Sequence, residues 1–112
     1  MKPNRGNDEC FLLLALRNLG GTWKLLLLRE LWDQPLRYRD LRKRLPRISS
    51  TSLARGLKEL ERDGLISRTV IATRPPVVTY KLLHNDPNLR EAINHLTLWG
   101  REHPRRTAPP KP

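Results

Sequence analysis

The chain has 112 residues, which suits one domain with a small core, and 22 Lys or Arg against 11 Asp or Glu give a formal net charge of +11. This excess of positive charge points to a polyanionic partner, most often nucleic acid. A single cysteine excludes an internal disulfide. The longest apolar runs are interrupted by Arg17, Lys24 and Arg29 well before they reach the length that spans a bilayer. We therefore expect a cytoplasmic protein with no membrane partner.

Two apolar helices are predicted in the first third of the chain. Residues 1–9 are polar and predict a flexible arm. Residues 10–19 predict a helix that is apolar on nearly every side, which needs cover from more than one direction. After a Gly-Gly break, Thr22 is a suitable N-cap for a second helix over 23–32.

A short basic helix and a longer capped helix follow. Leu41 and Leu45, four residues apart, would pack inward, and the outer face of this short helix is basic. Ser49 is predicted to cap a helix that runs to about Asp63. Gly64 would end that helix, because glycine accepts the left-handed backbone of a C-cap.

The pattern then changes to the two-residue period of strands. "LISRTVIA" and "VVTYKLL" predict two strands joined by the turn "TRPP", with Arg74 near the tip of the hairpin. A last helix carries the apolar stripe Leu89, Ala92, Ile93, Leu96 and Trp99. Residues 104–112 are basic and proline-rich and predict a disordered tail.

This order of elements predicts an α+β fold that is mainly helical, within one domain over 10–103. A short helix, a tight turn and a capped helix form a helix-turn-helix, and the hairpin directly after it is the wing of a winged helix. In that geometry the second helix enters the major groove of DNA with its N-terminal residues leading.

The capped helix is therefore the predicted recognition helix. Leu53, Leu57 and Leu60 would face the core, and a polar face lies opposite. The predicted DNA-binding residues of this helix are Ser50, Thr51, Ser52, Arg55, Lys58 and Arg62. Arg39 and Arg42 are predicted to contact the DNA backbone, and Arg74 to act from the wing. The alternative is that this face is an ordinary solvated helix surface.

Three stretches together resemble the HxlR-type winged helix-turn-helix transcriptional regulators, relatives of the MarR group: "GGTWKLLLLREL", "RYRDLRKRLPRISSTSLARGLKELERDGLISR" and "RPPVVTYKL". The resemblance implies a homodimer that binds inverted repeats in double-stranded DNA and represses or activates nearby promoters. Of these two effects on transcription, we expect repression. It also implies dimerisation through the first and last helices. The residues predicted for that interface are Phe11, Leu12, Ala15, Leu16, Leu89, Ile93, Leu96 and Trp99.

Cys10 is the remaining candidate site, because some relatives sense oxidants through a cysteine at this position. The family usually has Cys-Pro where this chain has Cys10-Phe11, and the alternative is a small apolar residue at the interface. The histidines match no common metal spacing, so no metal is expected. No catalytic triad, carboxylate pair or phosphate-binding glycine loop is visible, so no cofactor and no enzymatic activity are expected. A small-molecule or oxidant effector stays open but is not evident. Two other functions stay open: non-specific architectural binding of nucleic acid, and a winged helix used for protein contact.

Overall fold

The structure is a computed structural model that describes residues 5–103, with side chains from Cys10 onward. The predicted mainly helical α+β class is confirmed, with a winged helix-turn-helix at its centre. Within the described range the elements are α1 (Arg5–Leu19), α2 (Lys24–Glu30), β1 (Leu36–Arg37), α3 (Tyr38–Arg44), α4 (Ser50–Arg62), β2 (Ile66–Ile71), β3 (Val77–Leu82) and α5 (Pro87–Glu102).

The first two helices differ from their predicted bounds. α1 begins at Arg5, so part of the predicted arm is helical, since an established helix extends at little cost through polar residues. The rest of that arm and the predicted tail over 104–112 lie outside the described residues. α2 is shorter than predicted and Thr22 does not cap it: Trp23 holds the N-cap position without a side-chain hydrogen bond, and Trp32 has turned into the core.

A two-residue strand precedes α3 and was not predicted. In β1, Leu36 pairs with Tyr80 and Arg37 pairs with Thr79 of β3. Two residues carry no readable period, so only the tertiary pairing defines this strand. The backbone N–H of Arg37 donates to the Asp40 carboxylate at 3.3 Å, which fixes the start of α3 immediately after the strand.

The bounds of α4 agree with the sequence signals. The Ser49 hydroxyl accepts a hydrogen bond from the Ser52 N–H at 3.1 Å, and Gly64 has φ +78° beyond the C-terminus. Leu53, Leu57 and Leu60 are buried, as predicted. They belong to a single core built from α2, α3, α4, the sheet and one side chain of α5.

The wing is an antiparallel hairpin with β3 at the centre of the sheet, in the order β1-β3-β2. The register places Arg68 opposite Tyr80 and Ile71 opposite Val77. α5 follows, and the Asp86 side chain caps it by accepting from the Asn88 N–H at 2.8 Å. This cap places the start of the last helix, which the sequence motifs did not define, at Pro87.

Large apolar side chains remain exposed on α1 and α5. Phe11 is 66% exposed and Leu96 is 55% exposed, and among the apolar side chains described on α1 only Leu19 packs against the core. The other exposed members are Leu12, Leu13, Leu14, Leu16, Leu98 and Trp99. Ala15 and Leu89 are half-buried.

One predicted interface residue belongs elsewhere. Ile93 is only 7% exposed and is part of the core, because α5 packs this side chain toward α2. It can therefore contribute little area to a contact with a second copy.

In the described part of the chain, no single helix is long and apolar enough to span a membrane. Only residues 10–19 and α2 taken together meet the length and composition for one, and these two segments are bent by 72°.

Candidate DNA-binding surface

The exposed face of α4 gathers most of the predicted DNA-binding side chains. Thr51, Arg55, Lys58 and Arg62 are all exposed. Their spacing of four, three and four residues places them on one face of the helix, opposite the three buried leucines. Fold and sequence therefore agree on a continuous polar surface that is free to meet a partner.

The N-terminus of α4 leads this face. Ser50 and Thr51 are exposed in the first turn, where the helix dipole is positive and favours an anion such as a phosphate. Ser52 is half-buried, and its N–H is already bonded to the Ser49 cap. Ser52 is therefore the least accessible of the three predicted hydroxyl contacts.

Two contacts hold α4 against α2, and neither was predicted. A Cβ atom built on Gly56 would lie 2.9 Å from the Leu27 Cδ1 atom, so the absence of a side chain at this position permits the close approach. Beside it, the Lys24 ammonium lies 3.0 Å from the Glu59 carboxylate. This ion pair also removes the negative charge of Glu59 from the neighbourhood of the basic face.

The α1–α2 connection borders the same helix. Gly21 and Trp23, with Ser52 and Arg55, line an open groove of about 350 Å³. Arg55 therefore lies between this connection and the exposed face, within reach of a ligand on α4.

The two predicted backbone contacts have different surroundings. Arg42 is half-buried, and its Nη1 atom donates to the Ile48 carbonyl at 3.1 Å, so it ties α3 to the turn before α4. One of the five donors of this guanidinium is therefore engaged within the fold, and its contact with the DNA backbone stays a prediction. Arg39 is exposed, and within residues 10–103 it forms no ion pair.

The last basic residue of α4 is also partly engaged. Arg62 lies 3.4 Å from the Asp63 carboxylate, although its own side chain is exposed. This neighbour partly offsets its positive charge, so Arg62 offers less attraction to a phosphate than Lys58 does.

The wing carries Arg74 at its tip, where this side chain is exposed. The Thr73 hydroxyl donates to the Pro75 carbonyl at 2.8 Å across the turn, which holds the tip together. The hairpin therefore presents Arg74 away from the core, as the sequence predicted.

Two further arginines near the wing were not assigned to a site from the sequence. Arg37 and Arg68 join Arg39 around an open groove of about 560 Å³ between the start of α3 and the hairpin, and Tyr38 and Tyr80 also line it. The available signal was the strand period, which places Arg68 and Tyr80 on one face of the hairpin once the register is known.

Cys10 is exposed within α1. Because α1 begins at Arg5, this cysteine lies more than one turn from the helix start. The positive end of the helix dipole acts within the first turn, so it does not account for a reactive thiolate here.

Comparison with known proteins identifies the family. The model of the HxlR-like helix-turn-helix family matches residues 18–108, which is most of the chain. The chain belongs to the HxlR-like helix-turn-helix family. It is therefore a helix-turn-helix transcriptional regulator and not an enzyme, and DNA binding is implied.

Relatives in curated collections carry the same description. An uncharacterized HTH-type transcriptional regulator of Methanothermobacter thermautotrophicus is 38% identical over 98 residues, covering 86% of this chain and 75% of the relative. The uncharacterized HTH-type regulator YdeP of Bacillus subtilis is 38% identical over 96 residues, with the same two coverages of 86% and 75%.

Solved structures give the same result for the fold of this HxlR-like chain. The oxidized form of the redox regulator HypR superposes with a TM-score of 0.74 at 31% identity, covering 83% of this chain and 96% of HypR. Diamide-treated YodB from Bacillus subtilis has a TM-score of 0.63 at 31% identity, covering 79% of this chain and 87% of YodB. A proposed MarR-family regulator from Porphyromonas gingivalis W83 has a TM-score of 0.76 at 26% identity, covering 91% of this chain and 97% of that regulator.

Proposed function

We propose that this HxlR-like protein is a sequence-specific DNA-binding repressor that acts as a homodimer on an inverted repeat. The observation that carries the proposal is the exposed face of α4, where Thr51 and Arg55 follow a capped helix N-terminus. A helix that enters the major groove N-terminus first brings these positions to the base edges.

Roles can be assigned along this face. Arg55 is long enough to donate two hydrogen bonds to a guanine edge, and Thr51 and Ser52 are short enough to approach a base or a phosphate closely. Ser50, Lys58 and Arg62 would fix the phosphate backbone, together with Arg39 from α3 and Arg74 from the wing. Arg42 would also contact the backbone, through the donors that its hydrogen bond to the Ile48 carbonyl leaves free.

The exposed apolar residues of α1 and α5 support the homodimer. Phe11, Leu12, Leu16, Leu96 and Trp99 are exposed in the single chain, and apolar exposure on this scale usually marks an interface. The half-buried Ala15 and Leu89 would lie beside them in the interface. A second copy is the natural partner because most soluble oligomers are symmetric homo-oligomers.

A two-fold symmetric dimer predicts the form of the operator. Two recognition helices related by a two-fold axis read the same sequence on opposite strands, so the site is an inverted repeat with half-sites about 34–36 Å apart or a multiple of that spacing. A dimer bound across a promoter excludes polymerase by steric overlap, which is why we propose repression.

The decisive experiment is selection of random duplex DNA by the full chain, followed by binding measurements over a range of salt concentrations. We expect a palindromic consensus, a steep salt dependence and two chains per duplex. Salt-dependent binding without any consensus would instead support the architectural alternative. No salt-dependent binding at all would support the use of this winged helix for protein contact.

Cys10 is proposed as a candidate redox sensor. The exposed thiol and the likeness to the redox regulator HypR support this role, and a small apolar interface residue is the alternative. With one cysteine in the chain, oxidation would join two subunits or attach a low-molecular-weight thiol. Diamide treatment of the wild type and of Cys10→Ser distinguishes a sensor from an interface residue. If treatment leaves the DNA affinity of both proteins unchanged, Cys10 is not a sensor.

A further inference from the structure

Lys24 differs from the other charged residues of the chain in its burial. Within residues 10–103, it is the only charged residue that is buried. Its ammonium lies 3.0 Å from the Glu59 carboxylate on the side of the recognition helix. An enclosed ammonium cannot lie against a DNA phosphate, so an effect of Lys24 on DNA binding has to pass through Glu59.

The groove beside the α1–α2 connection brings this ion pair next to Arg55. Lys24, Arg55 and Glu59 all line this groove of about 350 Å³. Arg55 precedes Glu59 by four residues on α4, a spacing at which an arginine and a glutamate can reach each other and pair. Nevertheless, Arg55 forms no ion pair within residues 10–103, because the carboxylate of Glu59 is turned toward α2.

Arg55 is the cation of α4 that a released Glu59 would meet. Arg62, three residues beyond Glu59, already lies 3.4 Å from the carboxylate of the next residue. Lys58 is adjacent to Glu59 in the sequence, and adjacent residues of a helix do not face each other. Among the cations of α4, only Arg55 has both the groove and the four-residue spacing in common with Glu59. Without Lys24, the acid would therefore pair with the arginine that is proposed to read a base.

We propose that Lys24 is a positioning residue for sequence recognition, which holds the Glu59 carboxylate and thereby leaves Arg55 free to contact a base. This role rests on the DNA-binding function proposed for α4. Side chains of a helix lean toward its N-terminus, which is the end that leads into the major groove. Glu59 lies one turn behind Arg55, so a pair between them would draw the guanidinium away from the leading end and compete for its donors.

Stability and specificity should respond in opposite order to the loss of each half of the ion pair. Glu59→Gln leaves a buried ammonium without its partner, but no carboxylate remains to capture Arg55. Lys24→Met breaks the same pair and leaves that carboxylate free. Glu59→Gln should therefore be the less stable variant, and Lys24→Met should be the less specific one. A loss of structure alone would lower stability and specificity in the same order.

The test measures specificity as a ratio of two affinities, at a temperature at which every variant is folded. The ratio compares the preferred duplex from the selection experiment with a duplex altered at the base pair where Arg55→Ala loses discrimination. Lys24→Met should lower this ratio by about two- to fivefold, which is the range for an ion pair with a partly exposed carboxylate. Glu59→Gln and the double variant Lys24→Met/Glu59→Gln should both keep the ratio of the wild type.

Two controls isolate the effect of Glu59 on Arg55. Lys81→Met removes one positive charge from an exposed position of β3, outside the groove that Arg55 lines. It should change the affinities for both duplexes by the same factor and leave their ratio unchanged. In an Arg55→Ala background, Lys24→Met should not lower the ratio further, because no guanidinium remains to be captured.

Three results would overturn the positioning role and leave the proposed DNA-binding function intact. The first is a Lys24→Met protein with the ratio of the wild type. The second is a lowered ratio that the additional Glu59→Gln change does not restore, which would mean that Lys24 acts through the packing of α4. The third is a raised ratio, which would mean that Glu59 orients Arg55 toward the base.

A different pair of results would refute the assignment of Arg55 itself. Selection that yields no consensus removes the proposed sequence-specific function, and the positioning role is lost with it. An Arg55→Ala protein that keeps the ratio of the wild type on every altered duplex shows that another residue reads the bases. The failure of the DNA-binding proposal can thus be distinguished from the failure of the role of Lys24.

Discussion

The Lys24 ammonium lies 3.0 Å from the Glu59 carboxylate and joins the start of α2 to the side of the recognition helix. The side chain of Lys24 is 10% exposed and that of Glu59 is 30% exposed, so the lysine is the more buried partner. Two features of the surface depend on this pair: it ties α4 to α2, and it offsets the negative charge of Glu59 beside the basic face.

Glu59→Gln should destabilise the protein more than Lys24→Met does. Glu59→Gln leaves a buried ammonium without its carboxylate. We expect the free energy of unfolding to fall by about 2 kcal/mol, which is less than the loss of about 3–5 kcal/mol on breaking a fully buried pair. Lys24→Met leaves a carboxylate that water can reach, so we expect the free energy of unfolding to fall by about 1 kcal/mol or less. Urea unfolding at one protein concentration measures both. A double variant as unstable as the sum of the two single variants would contradict the pairing.

Gly56→Ala should destabilise the protein although alanine is the better helix former. The new Cβ would meet Leu27 Cδ1 at 2.9 Å, and Leu27 is fully buried and cannot move away easily. We expect overpacking to cost about 1–3 kcal/mol, which exceeds the gain of about 1 kcal/mol in helix propensity. The matched control is Gly100→Ala in α5, where nothing lies within 4 Å of the new atom. Thermal unfolding should show a loss for the first variant and no loss for the second.

Arg42→Ala and Arg39→Ala should separate an arginine that also supports the fold from one that serves DNA binding alone. Loss of the Arg42 bond to the Ile48 carbonyl should reduce stability by about 1.5–3 kcal/mol, the range for hydrogen bonds to charged groups. Arg39→Ala should leave the unfolding midpoint unchanged, weaken all DNA sequences alike and reduce the salt slope by about one. An unchanged midpoint for Arg42→Ala would show that the bond to the Ile48 carbonyl does not stabilise the fold.

Arg55→Ala should relax sequence preference as well as affinity. Loss of a two-pronged contact to a base should cost about 1–3 kcal/mol on the preferred duplex and much less on duplexes altered at the contacted position. Lys58→Ala, one turn further along the same face, is the control that should weaken all duplexes alike. If the two variants show the same profile across duplexes, Arg55 contacts only the backbone.

Leu96→Lys should shift the protein from dimer to monomer without unfolding it. Leu96 is exposed in the single chain, so a charge there costs the monomer little, whereas a desolvated charge in an interface should cost at least about 2 kcal/mol, or roughly thirtyfold in dimer affinity. Val70→Lys places the same charge on an exposed apolar position of the wing and should not change the dimer. Sedimentation velocity across a dilution series distinguishes the two variants.

The buried side and the ends of a single helix could be predicted from the sequence, because both depend on residues close together in the chain. The period of Leu53, Leu57 and Leu60 defines the buried side of α4, and the Ser49 cap and Gly64 define its ends. The exposed positions of Thr51 and Arg55 follow from the same period. The family motifs add the order of the elements, and with it the winged helix-turn-helix.

Contacts between distant elements could not be read, since they depend on how the helices pack. A lone Ile93 on an apolar stripe does not tell whether the chain or its partner buries it, and only the packing of α5 places it in the core. The hydrogen bond from Arg42 to the Ile48 carbonyl also depends on how the turn before α4 folds back toward α3.

The helix faces, their caps and the net positive charge follow from the amino-acid sequence alone, because periodicity, capping and composition act over a few residues. Three arrangements exist only in the folded chain: the pairing of Lys24 with Glu59, the close approach of Gly56 and Leu27, and the grouping of Arg68 with Arg37 and Arg39 around one groove. Each of them joins residues from different elements, whose separation is set by close packing of the whole core.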